Sequence, residues 1–436
     1  MTPRRLAVQA LLHQEQAGYA NLVLDAELKK CTPPLSPRDA AFAAGIFYTA
    51  VERMPLLDYL LGQFLKKPMA RLDAPVRAIL RAGLAQARFM QVPVSAAVNE
   101  SVKLTKAFGK TSAAGMVNAV LRRAAVQPVS ESNFADPLQR LQIYYCLSAP
   151  VAALLYRQYG DEAFAMAASF FEKPAAAVRV NTLKTTDAAL AARLQQEGCD
   201  VTHGPWEHCL LTKFSGSPAA TKAFAEGLYH VQGLASQYAA LCVQAQPRQK
   251  VLDLCAAPGG KSLTLAQCMQ DKGQLVSGEF VAGRVSLLRK AFDRCGVHCA
   301  EAVQNDAAVP RPQWGVFDRV LCDVPCSGLG VIAKKPDIRC KDLAGMENLL
   351  ETQQKILQNG ADSLAENGRL VYSTCTVNRD ENERQVQKFL AANPDFTLAA
   401  PPLAYPGTVD TGYGTLFLPH KTHTDGFFAA VLQKKH

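Results

Sequence analysis

The chain has 436 residues, 49% of them hydrophobic and 19% charged, and a formal net charge of +9. Such a length exceeds one ordinary core and implies two or three domains. The balance excludes a disordered chain, and no apolar run approaches the roughly 20 residues of a spanning helix.

The charge is unevenly placed. Residues 1–150 carry 18 Lys and Arg against 10 Asp and Glu, and the remainder carries 29 against 28. A basic first part suits a polyanion and a nearly neutral second part suits chemistry, unless the excess is an ordinary basic surface. The opening Met1–Arg5 is charged, but His13, Gln14, Glu15 and Gln16 interrupt the apolar stretch running to Ala20. That stretch reads as an amphipathic helix, not a secretory signal.

Residues 1–126 are rich in Ala, Leu and Arg with helical periodicity and almost no strand signal. Over 74–90, Val76, Ile79, Leu80, Leu84 and Met90 share one face, while Arg77, Arg81 and Arg88 share the other. That arginine stripe suits phosphate contact or a solvated helix equally. Residues 127–137 (QPVSESNFADP) read as a linker. Helical segments are expected near 138–146 and 151–171, then a small α+β unit reaching residue 232, with strands at 177–181 and 227–232 and a helix at 188–197. From residue 234 strands and helices alternate, with strands at 250–254, 274–279, 319–322 and 369–373 and a long helix at 347–364. This predicts a mostly parallel sheet covered on both faces.

Thirteen cysteines are scattered along the chain. The odd count and irregular spacing argue against a disulfide framework and for a reducing cytoplasm. The closest pairs, Cys295/Cys299 and Cys322/Cys326, lack zinc-ribbon spacing, so no metal is expected.

Three motifs carry chemistry. In Val251-Leu-Asp-Leu-Cys-Ala-Ala-Pro-Gly-Gly-Lys-Ser262 an apolar strand enters a Gly-rich turn that opens a helix. Gly259 and Gly260 admit close backbone approach to a ligand. A phosphate-binding P-loop is excluded, because Cys255 stands where that motif needs glycine and Pro258 lacks an N–H. Glu279 ends the second strand, where a carboxylate grips ribose hydroxyls, and Asp306 follows the next apolar segment and can meet a purine edge. A nucleoside without pyrophosphate fits this set. Either acid alone would read as a helix cap or a solvated loop end. The second motif, 317–330 (FDRVLCDVPCSGLG), delivers Asp323 and Cys326 to a strand end, and the third, 370–377 (LVYSTCTV), delivers Cys375. A lone strand-end cysteine is usually a small buried hydrophobe; two, with an acid three residues before one of them, are not so easily dismissed.

The series AAPGGKS, DVPCSG and YSTCTV resembles the NOL1/NOP2/Sun family of RNA cytosine-5 methyltransferases, as do Arg179-Val-Asn-Thr-Leu-Lys184 and the Val231-Gln232 … Ala235-Ser236-Gln237 segment. The similarity covers roughly residues 170–436. The helical first part resembles the NusB-like RNA-binding domain of the bacterial Sun branch, which acts on 16S ribosomal RNA. The resemblance implies an α/β, Rossmann-like S-adenosylmethionine-dependent methyltransferase domain over 234–436. Before it come an all-helical NusB-like domain over 1–126 and a helical connector with a small α+β RNA-binding subdomain over 138–233. It assigns Cys375 as the nucleophile that adds to cytosine carbon 6. Cys326 becomes the thiol assisting release, Asp323 the partner of the cytosine N3/N4 edge, and Lys261 a residue that positions Asp323 or the substrate, or merely forms a salt bridge near the cofactor. Cys255, Ala256, Ala257, Pro258, Gly259, Gly260, Lys261, Glu279, Asp306 and Asp323 would line the S-adenosylmethionine site. RNA, 16S ribosomal RNA first, is the implied partner, with no membrane and no metal, and a monomer is expected. The chain departs from the family at Gly233, usually Asp, and at Glu279, also usually Asp. The alternatives are transfer RNA or another RNA as substrate, a non-catalytic RNA-binding assembly factor, and Cys326 as nucleophile.

Overall fold

The computed structural model of the protein describes residues 1–15, 20–172, 175–214 and 216–435. It divides into two compact units. Unit 1 is Met1–Ala168 with Lys334–Asp342, and unit 2 is Ser169–Ala333 with Leu343–His436.

Unit 1 is helical, with α1 (Pro3–Gln14), α2 (Ala20–Lys30), α3 (Pro37–Glu52), α4 (Met54–Gly62), α5 (Ala74–Phe89), α6 (Val94–Ala107) and α7 (Ala114–Val126) followed by α8 (Ala149–Tyr159) and α9 (Glu162–Ser169). Start signals are local. Thr2 and Ser36 accept from backbone N–H groups three residues on, each with Pro in the first turn. Residues 16–19, within the stretch predicted to reach Ala20, lie outside the described residues. The single helix predicted over 151–171 is two, parted at Gly160, whose φ of 54° leaves the helical region. The predicted linker contains a capped 3-10 turn, Glu131–Asn133, and a π-turn covers Arg140–Tyr144. On α5, Val76, Ile79, Leu80 and Leu84 are buried as expected. The arginines opposite them are neither free nor solvated. Arg77 and Arg81 pair with Glu15, Arg81 also pairs with Asp58 at 2.6 Å, and Arg88 donates to the Gln127 carbonyl at 2.5 Å. The stripe is internal wiring.

The segment Lys334–Asp342 belongs to this unit through Arg339, which is 1% exposed. Its carbonyl accepts from Ser148 N at 2.8 Å and its Nη1 donates to the Tyr145 carbonyl at 3.0 Å.

Unit 2 holds two sheets. The smaller is antiparallel, in the order β2-β3-β1-β4, from β1 (Ala176–Val180), β2 (Asp200–His203), β3 (Cys209–Lys213) and β4 (Tyr229–Val231). Helix α10 (Asp187–Gln196) supplies Leu190 and Leu194 to a core with Val178, Val180, Leu210 and Tyr229.

The larger sheet begins with five parallel strands, β5 (Lys250–Asp253), β6 (Gln274–Glu279), β7 (Ala300–Gln304), β8 (Phe317–Asp323) and β9 (Leu364–Thr374). Helices α11 (Leu234–Cys242), α12 (Gly260–Cys268), α13 (Ala282–Cys295) and α14 (Met346–Asp362) accompany them. The strand order is β11 (Val409–Asp410), β12 (Thr415–Phe417), β13 (Phe427–Lys434), β9, β8, β5, β6, β7, with β10 (Phe396–Leu398) on β13. After α15 (Glu383–Ala392), the strands β10 to β13 pair antiparallel. The sheet is therefore less parallel than predicted; the short connections joining β11 to β12 and β12 to β13 suit antiparallel neighbours. Val251, Leu252, Leu275, Val320, Leu321 and Val371 are fully buried, as sheet-centre runs of this kind require. Helix α14 lies flush on β8: a Cβ at Gly360 would stand 2.5 Å from Cys322 Sγ.

Candidate active site

Ligands of open α/β sheets gather outside the carboxyl ends of the strands, and all the motif residues end there. Strand β5 stops at Asp253 and the chain turns through Cys255–Gly259 into α12. Gly259, at φ 108°, begins that helix with a backbone L side chains rarely adopt. Asp253 is fully buried and accepts from Ser262 Oγ at 2.7 Å, while its Oδ1 has no partner. Burial lifts its carboxyl to about 7 despite that bond. A cavity of about 490 Å³ is lined by Cys255, Pro258, Gly260 and Lys261 of this turn, with Gln232 and Asp323.

Glu279 is the last residue of β6 and is 4% exposed. Its Oε1 accepts from Val281 N at 2.9 Å and Arg284 Nη1 at 3.4 Å. Asp306 is exposed just past β7 and accepts from Ala308 N at 3.0 Å. These two acids end neighbouring strands but do not line the 490 Å³ cavity.

Asp323, Cys326 and Cys375 converge at the β8–β9 edge. Asp323 closes β8, and its two oxygens accept from Lys261 Nζ and Ser373 Oγ, each at 2.7 Å. Lys261 sits 5.3 Å from the Phe427 ring centroid. Burial pulls its pKa down, but the charge of Asp323 and the bond to it outweigh that and raise it, so the side chain is an ammonium. Cys375 is the first residue past β9, and its Sγ lies 3.1 Å from Cys326 Sγ. That contact, and then burial, push the Cys326 thiol well above its ordinary value. The loop carrying Cys326 is pinned through Gly330, whose N–H donates to the Cys375 carbonyl at 3.0 Å and whose carbonyl accepts from Gly426 N at 2.8 Å. A Cβ at Gly330 would run into the Gly426 backbone.

Sequence reasoning missed the support beneath this pair. Glu381 is fully buried, and its carboxylate accepts from Ser327 N at 2.7 Å, Ser327 Oγ at 2.5 Å, Gln353 Nε2 at 3.0 Å and Asn378 Nδ2 at 3.0 Å. It fixes the residue after Cys326 from a turn just after Cys375. The available signal was the polar run 378–382 (NRDEN) between an apolar strand and a helix, which reads equally as helix capping. Among the described residues no group of three or more His, Cys, Asp or Glu is placed to hold a metal, no helix is long and apolar enough to cross a membrane, and none of the thirteen cysteines is in a disulfide.

A five-stranded parallel core, a glycine turn opening on a cavity of about 490 Å³ and paired thiols past the strand ends define a Rossmann-like methyltransferase. The family model of the 16S rRNA methyltransferases RsmB/F matches residues 240–433, that of the NusB family residues 1–126, and that of the ferredoxin-like domain of RsmF/B-like methyltransferases residues 152–213. The chain is 34% identical to a probable ribosomal RNA small subunit methyltransferase B of Synechocystis, with 96% of each chain covered. It is 32% identical to the probable protein of the same name in Bacillus subtilis, over 99% of this chain and 98% of that one. The crystal structure of PH0851 superposes with a TM-score of 0.81 at 25% identity, covering 100% of this chain and 99% of the other. The chain belongs to the bacterial RsmB branch of the NOL1/NOP2/Sun family of rRNA cytosine-5 methyltransferases, with a NusB domain.

Proposed function

We propose that the protein methylates carbon 5 of a cytosine in 16S ribosomal RNA, with S-adenosylmethionine as donor and a covalent Cys375–cytosine bond as intermediate. One observation carries the reading. Two thiols 3.1 Å apart share a sheet edge with a carboxylate held by an ammonium.

The donor set suits that cofactor. A phosphate would meet Glu279 and Asp323, and at Pro258 no N–H. A neutral ribose with a cationic sulfonium suits the same carboxylates. Residues 255–261 of the turn, with Glu279, Asp306 and Asp323, would hold it. When bound, the cofactor supplies an electrophilic methyl group.

The chain's own residues supply the nucleophile and its control. Carbon 5 of cytosine is a weak nucleophile until the Cys375 thiolate adds to carbon 6 and the ring becomes an enamine. A Cys326 that keeps its proton can donate to the Cys375 sulfur. Asp323, oriented by Lys261 and Ser373, accepts from the cytosine amino group. Once carbon 5 is methylated it gives up its proton to solvent, the carbon 6–sulfur bond breaks, and Cys326 stands beside the departing Cys375. The target must be unpaired or flipped out to reach both sulfur and methyl. Residues 1–126 and the subdomain within 138–233 grip the RNA, while 234–436 do the chemistry, as a monomer in a reducing cytoplasm.

The test is a pair of variants incubated with RNA and S-adenosylmethionine. Cys326→Ala accumulates a protein–RNA adduct on denaturing gels and Cys375→Ala forms none; the reverse result sinks the assignment. Purified 16S rRNA and transfer RNA, with the product base mapped, separate the two RNA substrates. The small-subunit names of the two bacterial relatives favour the former.

A further inference from the structure

Unit 2 contains a second, larger cavity, of about 890 Å³, which is inside the roughly 300–1,000 Å³ range of ligand pockets. It is lined by Arg179 at the end of β1, Trp206 and His208 ahead of β3, Gln267 and Cys268 at the end of α12, and Leu403. It shares no lining residue with the 490 Å³ cavity. The two are separated by the length of α12, about 12 Å.

Two polar side chains here are sealed and incompletely used. Arg179 and Gln267 are each 4% exposed, and Arg179 Nε and Gln267 Oε1 are buried without a hydrogen-bond partner. Arg179 spends Nη1 on the Glu207 carbonyl at 2.6 Å and forms no ion pair among the described residues. A buried guanidinium outside any ion pair, and a buried amide oxygen with no donor, are both costly to keep. Trp206 is fixed: its Nε1 donates to Gln237 Oε1 at 3.1 Å and its ring abuts Tyr405 at 5.7 Å between centroids. His208 is already committed to Asp187 at 2.9 Å.

The available functions are a cationic donor, an acceptor and an aromatic surface. An inorganic anion would satisfy Arg179 alone, and would be repelled by Glu207, which also lines the cavity. A planar heterocycle bearing both a ring acceptor and an amine uses all three. We propose that this cavity binds an unpaired nucleobase of the RNA, stacked on Trp206, accepting from Arg179 and donating to Gln267. It rests on the RNA-methylation reading and concerns a nucleotide other than the reacting cytosine, because the catalytic cysteines lie outside the cavity.

Trp206 and Trp314 are the only tryptophans, so Trp314→Phe makes Trp206 the sole indole reporter in the full chain. Titration with an unpaired oligoribonucleotide should quench it saturably, CMP or AMP more weakly, and inorganic phosphate not at all. Adding Gln267→Ala should weaken the oligonucleotide affinity read by quenching about tenfold. Melting curves check its fold, and Arg179→Lys serves as the second variant if the first melts early. Quenching by phosphate, by mononucleotide but not oligonucleotide, or equally in both variants would overturn the proposal. Methyl transfer to RNA is assayed in parallel. Transfer without quenching defeats the cavity alone, whereas absence of both defeats the RNA reading with it.

Discussion

Glu381 concentrates the residue-scale logic of the site. It is a carboxylate with no exposed surface, yet four donors from three parts of the chain converge on it. Two of them belong to Ser327, the neighbour of Cys326, and the Tyr372 hydroxyl donates to the Glu381 carbonyl at 2.7 Å. The acid therefore sets the Cys326 loop against the end of β9, and with it the 3.1 Å spacing of the thiols. Glu381→Gln keeps the shape but exchanges one acceptor for an NH2 that faces donors. Such a mismatch costs about 1–3 kcal/mol in a buried site. The expected result is a lowered unfolding temperature and a kcat reduced at least about tenfold, with the KM for S-adenosylmethionine little changed because the buried Glu381 carboxylate is taken up by Ser327, Gln353 and Asn378. A kcat equal to that of the parent would show that the loop is positioned by other contacts. Ser373, which orients Asp323, and Glu381 escaped the sequence reading for the same reason: their work is done across the fold, on partners 50 and 54 residues away.

At the scale of elements, legibility followed periodicity. The strands carrying Asp253, Glu279, Asp323 and Cys375 were readable because a buried parallel strand is a short apolar run ending in a turn. Strands β10 to β12 were not predicted, since two or three residues of pairing leave no period to detect; β13, an eight-residue apolar run, was missed although its pattern is that of a buried strand. The arginine stripe on α5 was readable as a pattern but not in purpose, because Glu15 and Asp58 come from other elements. The same long-range packing creates opposed pH dependences on two strands of unit 2. On β4, His230 is 3% exposed with Nδ1 unpartnered, and its Nε2 faces Gln232 Oε1 at 3.2 Å and Thr264 Oγ1 at 3.4 Å. Burial, with Arg179 and Arg294 adding to it, holds its pKa down to about 3 against the usual 6.5. A depressed folded-state pKa gives stability that is present above 6.5 and lost as pH falls toward 3. Asp253 on β5 works the other way. With its pKa raised from 3.8 to about 7, its contribution is full below 3.8 and lost as pH rises to about 7. Unfolding temperatures measured from pH 4 to 8 should show a shallower acid limb for His230→Gln and a smaller decline from pH 4 to 7 for Asp253→Asn. An acid limb unchanged in His230→Gln would mean that His230 does not set it.

For the whole molecule the charge is the coarsest feature, and the fold refines what it can do. Of the positive excess in residues 1–150, Arg77, Arg81 and Arg88 are consumed by internal carboxylates and carbonyls, so they are not available to a polyanion. Lys66 and Lys67, beyond α4, are exposed instead. Counterion release makes RNA affinity fall with salt by a slope of roughly 0.7 per phosphate neutralised on a single strand and roughly 0.9 on a duplex. Replacing both lysines by Gln should therefore flatten the log–log salt dependence of RNA binding by about 1–2 and leave the unfolding temperature unchanged. Arg77→Gln should do the reverse. It leaves Glu15 with Arg81 as its one remaining ion-pair partner among the described residues, and removes the bond from Arg77 that holds the Glu15 carboxyl below its usual range. Stability then falls by about 1 kcal/mol after solvent screening of this part-exposed pair, while the salt slope stays constant. Binding isotherms between 50 and 300 mM salt for the parent and both variants decide the matter. A slope that changes with Arg77 and not with the lysines would place the RNA on the α5 stripe after all, and would require its ion pairs to open on binding.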